Sequence, residues 1–555
     1  MSAMATRQLG NPATWQPGNL ATPQPGNMID DLWYNNAVLY CLNVETFADS
    51  NGDGIGDFNG LTRNLDYLAG ISITCIWLLP FFPSPRRDDG YDVADYYGVD
   101  RRYGSSGDFV EFMNQARERG IRILVDLVIN HTSIDHPWFR EARSNPQSKY
   151  REWYVWSKKR PRDWNKGMVF PGSQKSTWSY DSEARLWYFH RFYDFQPDLN
   201  TANPEVREEI KRIMGYWIEL GVSGFRVDAL PFVISTKGPN VKRHEQDFDF
   251  LRQMREFLQW RKGDALLLAE ANVLPDEDLD YFGNRDDRMH MMFNFLVNQN
   301  VFYALACGDV RPLTTALKKT RQRPVTAQWA HFLRNNDELD LGRLTDEQRE
   351  AVFAKFAPKP SMRLYDRGIR RRLAPMLDDD RKRLELAYSL MFTLPGTPVI
   401  RYGDEIGMGD DLRLKERQCA RTPMQWSRET HAGFTTADKP VLPVIDDAIF
   451  GYEKVNVADQ RRDPQSLLNW MERIIRLRKE RSEIGWGDWK ILPTGSPHVL
   501  AIRYDWRGRT FVAVHNVDAK PHRVKLNVGE VTNLLADDHN IESIEAYGYR
   551  WCEIA

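Results

Sequence analysis

Cysteine is scarce in this chain and never paired in sequence: Cys41, Cys75, Cys307, Cys419 and Cys552 are 5 of 555 residues, odd in number and without a C-x-x-C spacing. Neither a disulfide framework nor a zinc site is indicated, and a reducing, cytoplasmic setting is expected. Net charge is equally scarce. A formal balance of -2 gives no bulk attraction to nucleic acid or to an anionic membrane, which leaves a small, neutral or mildly charged partner. No apolar run reaches membrane-spanning length, and the N-terminus lacks the basic start and apolar core of a secretory leader. No repeat occurs at solenoid periods. Aromatic surface, by contrast, is plentiful: 18 Trp, 22 Tyr and 27 Phe, many of them between Trp138 and Phe195. Such rings cover the apolar faces of sugars and also fill ordinary cores.

Residues 1–30 are rich in Pro, Gly, Asn and Gln without hydrophobic period and read as a flexible or surface-wrapped arm. From residue 31 onward, eight apolar strand candidates alternate with helix-compatible stretches: AVLYCLNV, ITCIWLLP, IRILVDLVIN, GFRVDA, ALLLAEA, MHMMFNFL, AQWAHFLRN and GTPVIRYG. The alternation predicts an α/β fold, a (β/α)8 TIM barrel built from residues 31–130 and 201–484. Between them, residues 131–200 form an aromatic and Pro-rich excursion too long for a βα connection, so an inserted B subdomain after strand 3 is expected. The tail, 485–555, alternates short strands with turns and predicts a C-terminal antiparallel β domain. The charged run from Arg367 to Glu385 reads as a solvated helix face, and the Met-rich MHMMFNF as core filling.

The stretch DSNGDGIGD, from Asp49 to Asp57, sets oxygen-bearing residues at alternate positions around glycines, as the first half of an EF-hand loop does. Position twelve is Gly60 rather than Glu, and the flanking segments are a strand and a short helix instead of two helices. The loop therefore joins a strand to a helix and offers calcium hard oxygen donors; the alternative is a metal-free Gly/Asn/Asp turn.

In a parallel barrel the residues that close the strands converge on one mouth. Here Asp126 and His131 follow the third strand, Arg226 and Asp228 end the fourth, Glu270 ends the fifth and Asp337 follows the seventh. Gathered carboxylates repel one another, so chemistry involving positive charge is implied. Glycoside cleavage is chemistry of that kind, because its oxocarbenium-like transition state needs one carboxylate nucleophile and one protonated acid. Arg226, on the same strand face as Asp228, is expected to hold it ionised, and Glu270 in an apolar setting is expected to keep a raised pKa. Asp126 also reads as a buried structural partner of Arg226.

The segments DLVINH, GFRVDALP, LLAEAN and FLRNNDE resemble, in order, the four signature regions of the α-amylase family, glycoside hydrolase family 13, and QPDLN (Gln196 to Asn200) resembles its fifth. The resemblance extends from about residue 31 over nearly the whole chain. DDGYD, YGDEIGMGD, RTPMQW and the DSNGDGIGD loop are similar to the branch that holds oligo-1,6-glucosidases and trehalose synthases, and YREWYVWS and LLAEANVLPDEDLDYFG look most like the latter. The resemblance implies Asp228 as nucleophile, Glu270 as acid/base and Asp337 as the carboxylate that stabilises the transition state. It implies Asp88, Tyr91, His131, Arg226 and Arg421 around the glucose. It implies a structural calcium on Asp49, Asn51, Asp53, the Ile55 carbonyl and Asp57, a second on Asn130 and Asp198, and no organic cofactor. The expected partner is a small α-glucoside, with no nucleic acid or membrane, and self-association stays open.

Two places depart from the family pattern. Asn336 stands where the family carries a sugar-binding His, and an amide can still donate a hydrogen bond but carries no charge. The stretch around Asn294 and Asn298 departs on what would be the acceptor side. Three readings follow: interconversion of maltose and trehalose, hydrolysis or transglucosylation of other small α-glucosides such as sucrose or isomaltose, and a non-catalytic carbohydrate-binding relative.

Overall fold

Eight short segments that are buried on both faces, as strands covered by helices must be, close into a parallel barrel in the computed structural model, which describes residues 30–241, 245–535 and 541–554. They are β1 (Leu39–Leu42), β2 (Cys75–Leu78), β3 (Arg122–Leu127), β4 (Gly224–Val227), β5 (Leu266–Ala269), β6 (Met291–Phe293), β7 (Gln328–Phe332) and β8 (Thr397–Arg401). Neighbours in sequence are neighbours in space, and β8 closes on β1. All eight fall within the strand candidates read from the sequence. The expected arm over 1–30 lies, apart from Asp30, outside the described residues.

The period-two alternation of a strand divides these segments into two rows. Leu39, Cys41, Cys75, Trp77, Leu124, Leu266, Leu268, Met291, Phe293, Ala330 and Phe332 form one cluster inside the barrel. Residues of the opposite parity, such as Tyr40, Ile76, Val125, Phe225 and Leu267, join the larger cluster under the helices. Extending the inner row upward places Asp126 above Leu124, Arg226 and Asp228 above Gly224, and Glu270 above Leu268. Register supports the layer: Asp126 pairs with Arg226, and Arg226 with Leu268. Gly224 is required at its position, because it holds φ +146° and an added Cβ would lie 2.1 Å from the Leu266 carbonyl oxygen.

Between β3 and β4 the chain forms a helix, Pro137–Ser144, and a three-stranded antiparallel sheet of Trp156–Ser157, Leu186–Phe189 and Trp178–Asp181. After the helix Leu467–Glu480, a five-stranded antiparallel sheet containing Asp488–Leu492, Val499–Trp506, Arg509–Asn516 and Tyr549–Ile554 forms the C-terminal domain.

The charged run from Arg367 to Glu385 corrects one expectation. It is not a solvated helix face: Arg372 is fully buried and donates to the Tyr402 carbonyl at 2.8 Å and to Asp404 at 3.2 Å, and Arg383 is buried as well. Arg372 thus pairs a carbonyl and a carboxylate near the end of β8, and Arg383 pairs the Leu377 carbonyl and Asp378 within its own segment, which charge patterning alone does not disclose. The methionines do fill the core, with Met289, Met291 and Met292 all buried.

Candidate active site

The top of the inner row carries a buried cation that four carboxylates share. Arg226 Nη1 donates to Asp126 at 2.7 Å and to Asp228 at 2.5 Å, while Nη2 forms an ion pair with Glu270 at 2.9 Å and reaches Asp337 at 4.0 Å. Its guanidinium carbon lies 5.1 Å from the centre of the Trp77 ring beneath it, a cation–π contact from below. Exposure separates the roles available to these groups. The side chains of Arg226 and Asp126 are 0% exposed, whereas those of Asp228, Glu270 and Asp337 are 10%, 21% and 20% exposed, so only the last three can meet a ligand.

They meet it in a cavity of about 550 Å³, also lined by Asp88, Tyr91, His131, Glu338 and Arg417 and walled by Phe170, Phe192, Phe232, Phe248 and Phe295. That volume, polar at its floor and aromatic at its sides, has the character of a small-molecule site. Opposite the floor, Arg417 spans two carboxylates, donating to Asp337 at 2.6 Å and to Asp88 at 3.0 Å; Gln196 donates to the other Asp88 oxygen at 2.9 Å. Arg417 follows Glu416, a non-glycine residue at φ +41° whose carboxylate accepts from Ser173 (2.8 Å), Tyr193 (3.2 Å) and Tyr365 (3.1 Å). That turn is thereby tied to the segment inserted between β3 and β4.

The protonation pattern follows from this layout. Burial pushes the carboxyl pKa of Asp228 and Glu270 up, and neighbouring carboxylates add to it, against the pull of Arg226. Asp126 is pushed up to about 6 by burial, with Arg226 opposing. Asp337 is burdened by burial as well, yet Arg417, Arg421 and Arg226 outweigh it and hold its carboxyl below the usual range. Arg226 does pull the Asp228 carboxyl down, as expected, but its one guanidinium is shared among three acids and burial outweighs that pull. His131 is pulled down to about 4 by burial and is neutral, with Nε2 3.1 Å from the Tyr91 carbonyl oxygen.

Of the residues anticipated around a sugar, Asp88, Tyr91 and His131 line the cavity. Asn336 lies behind it: its Nδ2 donates to the Tyr91 hydroxyl at 3.1 Å, and that hydroxyl donates to Asp126 at 3.0 Å. Arg421 lies behind it too, paired with Asp89, donating to the Asn336 carbonyl at 3.0 Å and reaching Asp337 at 3.4 Å. Sequence reasoning missed Arg417, four residues before Arg421, and Glu338, the residue after Asp337. Asn294 and Asn298 are structural: Asn294 caps the helix Phe295–Cys307, and Asn298 donates to the Phe332 carbonyl at 2.6 Å.

The anticipated metal positions behave differently from each other. Asn130 and Asp198 do come together, at 3.1 Å, but Lys237 Nζ occupies the space a second calcium would need. It donates to Asn130 Oδ1 (2.8 Å), to the carbonyls of Asn130 (3.2 Å) and Leu199 (3.0 Å), and pairs with Asp198 at 2.9 Å. The expectation of calcium there is corrected, since an ammonium already satisfies those oxygens. In the loop after β1, Asp49 accepts from the amides of Asn51, Gly52 and Gly54 and from Thr435, Asn51 accepts from the Asp53 amide, and Asp53 from the Ile55 amide. Asp57 caps the helix Phe58–Arg63.

These residues match a known pattern. The model of the α-amylase catalytic domain matches residues 42–357 and 368–487. Trehalose synthase of Thermus thermophilus is 43% identical over 493 residues, covering 88% of this chain and 51% of the relative, so the chain spans about half that relative's length. Trehalose synthase/amylase TreS of Mycolicibacterium smegmatis is 41% identical over 513 residues, covering 90% of this chain and 86% of the relative. Among solved structures, trehalulose synthase MutB from Pseudomonas mesoacidophila MX-45 superposes with a TM-score of 0.76 at 26% identity, covering 94% of this chain and 99% of that chain. With the family match spanning both halves of the barrel and the acids standing at its C-terminal mouth, the chain belongs to the α-amylase family.

Proposed function

We propose that the protein is a retaining α-glucosyl-transfer enzyme of the trehalose synthase kind, interconverting maltose and trehalose. The observation that carries this reading is the sharing of Arg226 by Asp126, Asp228 and Glu270 under a cavity of disaccharide size, with Asp337 held separately by Arg417.

Asp126 and Asp228 receive charged hydrogen bonds from Nη1, whereas Glu270 has one backbone donor, the Ala229 amide at 3.0 Å, and an ion pair. A proton retained by the cluster is least costly on Glu270. Asp228 attacks the anomeric carbon of the bound glucoside, the glycosidic C–O bond breaks, and the departing oxygen takes the Glu270 proton. Asp337, ionised, stabilises the developing positive charge. In the second half an acceptor hydroxyl gives its proton to Glu270 and its oxygen displaces Asp228. If the acceptor is the departing glucose, re-attacking through its anomeric hydroxyl, maltose becomes trehalose; if it is water, the outcome is hydrolysis. The aromatic walls and the Glu416 tie favour retention of the glucose by keeping water out.

A structural calcium belongs to this reading, held by Asp49, Asn51, Asp53, the Ile55 carbonyl and Asp57. All five offer hard oxygen, and the hydrogen bonds to following amides fix the loop; Asn51 and Asp53 each accept one such amide and keep lone pairs for an ion, which would displace donors from the fully engaged Asp49 carboxylate. A cytoplasmic location belongs to it too: all five cysteines are free, and among the described residues no helix is long and apolar enough to cross a membrane.

Maltose and trehalose, incubated separately and followed by chromatography, test the proposal. Each should yield the other. Free glucose as the only product would refute the isomerase reading, and no conversion of either sugar would refute the enzyme.

A further inference from the structure

Away from the catalytic mouth, where the barrel meets the C-terminal domain, His498, Asp518 and His522 bring one ligand atom each within 4.8 Å of the others, the one such cluster among the described residues. We propose that these three side chains bind a divalent transition-metal ion, zinc in the first instance, that fastens the C-terminal domain to the barrel.

The scaffold around them is fixed. His498 Nδ1 faces the Gly308 carbonyl oxygen, which can only accept, so Nδ1 carries the proton and Nε2 keeps a free lone pair. A ring nitrogen tied to a backbone carbonyl is the arrangement that orients metal-binding histidines. Gly308 ends the barrel helix Phe295–Cys307, and the Val310 amide donates to the Pro497 carbonyl at 2.8 Å, so the His498 loop is docked on the barrel. Asp518 is held by its neighbours: its amide donates to Asn516 Oδ1 at 3.0 Å, one carboxylate oxygen accepts from the Ala519 amide at 2.7 Å, and its carbonyl accepts from the Tyr547 amide at 3.0 Å. Buried Asn516 braces the same turn through the Lys520 and Glu545 carbonyls, at 2.7 Å each. His522 begins a two-residue strand paired with Ser543–Ile544.

Within this frame the His522 Nε2 to Asp518 Oδ2 distance is 2.8 Å, and the two imidazole rings lie 4.8 Å apart, tilted by 34°. Zinc bonds of about 2.0–2.2 Å to nitrogen and oxygen set tetrahedral ligands roughly 3.3 Å apart, so the His–Asp pair opens by about half an ångström to admit the ion. Two imidazoles and one carboxylate select zinc, cobalt, nickel or copper over calcium, whose sites are all oxygen. Water completes the coordination, because the three residues are only half-buried.

The full-length chain, stripped of metal by chelation and dialysis, is titrated with ZnCl2 and, separately, CaCl2 by calorimetry, and with CoCl2 by visible absorption. Zinc should bind with a stoichiometry of one at this cluster, His498→Gln and His522→Gln should each weaken it at least tenfold, and calcium should not compete. On the unmodified chain, zinc should protect His498 and His522 from diethyl pyrocarbonate, read by peptide mass, which decides the matter even if a variant fails to fold. Absence of zinc binding, undiminished affinity in either variant, equal affinity for calcium, or no protection of the two histidines would overturn the proposal.

Discussion

The floor and the rim of the cavity both set one arginine among several carboxylates, on very different backbone. At the floor, Arg226 projects from a strand, is inaccessible, and serves Asp126, Asp228 and Glu270. At the rim, Arg417 projects from a short 3-10 turn, lines the cavity, and serves Asp88 and Asp337. On the proposed mechanism, the buried cation shared by three acids governs which of them keeps a proton, and the accessible one shared by two governs how the sugar is gripped while helping to hold Asp337 ionised. The floor then sets the proton and the rim chiefly the fit.

The sharpest way to break that division is to remove one floor acid. Asp228→Asn keeps the shape and the Arg226 contact but loses the nucleophile, and turnover of maltose should vanish in a chromatographic assay while the fold, followed by circular dichroism, persists. Arg226→Ala should cost stability as well, about 3–5 kcal/mol, because buried charges lose their partner. At the rim the losses are smaller. Arg417→Ala removes two charged hydrogen bonds, each worth about 1.5–3 kcal/mol, and raises KM roughly ten- to a hundredfold with less effect on kcat. Arg417→Lys keeps the charge without the fork and should recover part of that loss. An Arg417 variant that abolished turnover with KM unchanged would show that the rim does chemistry too.

The two regions also differ in how far the sequence discloses them. Asp126, Arg226, Asp228 and Glu270 continue a period-two row from apolar strands, so their convergence follows from spacing once a barrel is inferred. The rim has no period. Arg417 and Arg421 stand four residues apart in an irregular segment, and what turns Arg417 toward Asp88 is the positive φ of Glu416 and its contacts with the inserted segment, none of which is local. Lys237 was hidden for a similar reason: Asn130, which it serves, is 107 residues away.

Lys237 extends the comparison, being a third cation enclosed by anionic and carbonyl oxygen. Its side chain is 3% exposed and that of Asp198 is 0%, so Lys237→Met should cost about 3–5 kcal/mol in denaturant unfolding. If calcium restores that loss, the oxygens of Asn130, Leu199 and Asp198 are interchangeable between an ammonium and an ion.

A pH profile sharpens the rim further. Burial, helped by Asp337 and Asp340 and opposed by Arg417, pushes the Glu338 carboxyl up to about 7. A carboxyl raised in this way is neutral below that pH and charged above it. Once ionised it competes with Asp337 and Asp88 for Arg417, so KM for maltose should rise as pH passes 7. Glu338→Gln, an analogue of the neutral form, should match the native enzyme at pH 6 and lose the rise.

The loop from Asp49 to Asp57 is the contrasting case, carboxylates without a cation of their own. Asp49 accepts from three amides and a hydroxyl, and among the described residues neither Asp49, Asp53 nor Asp57 forms an ion pair with a lysine or arginine. The loop is nevertheless fixed: the Val441 amide donates to the Gly54 carbonyl at 2.7 Å, and Gly54 holds φ +90° with Lys439 too close for a Cβ. Where floor, rim and Lys237 each supply a side-chain cation, this loop has none among the described residues, and the proposed calcium would supply the charge. An ion that binds only the folded loop adds about 2.7 kcal/mol at a hundred times its Kd. Removing calcium with EGTA should therefore lower the unfolding midpoint modestly and reversibly and leave kcat nearly unchanged below it, since no residue of the loop lines the cavity. An unfolding midpoint indifferent to calcium would mean that the turn's own hydrogen bonds suffice, and that the four-way contrast in how this molecule neutralises its carboxylates is only three-way.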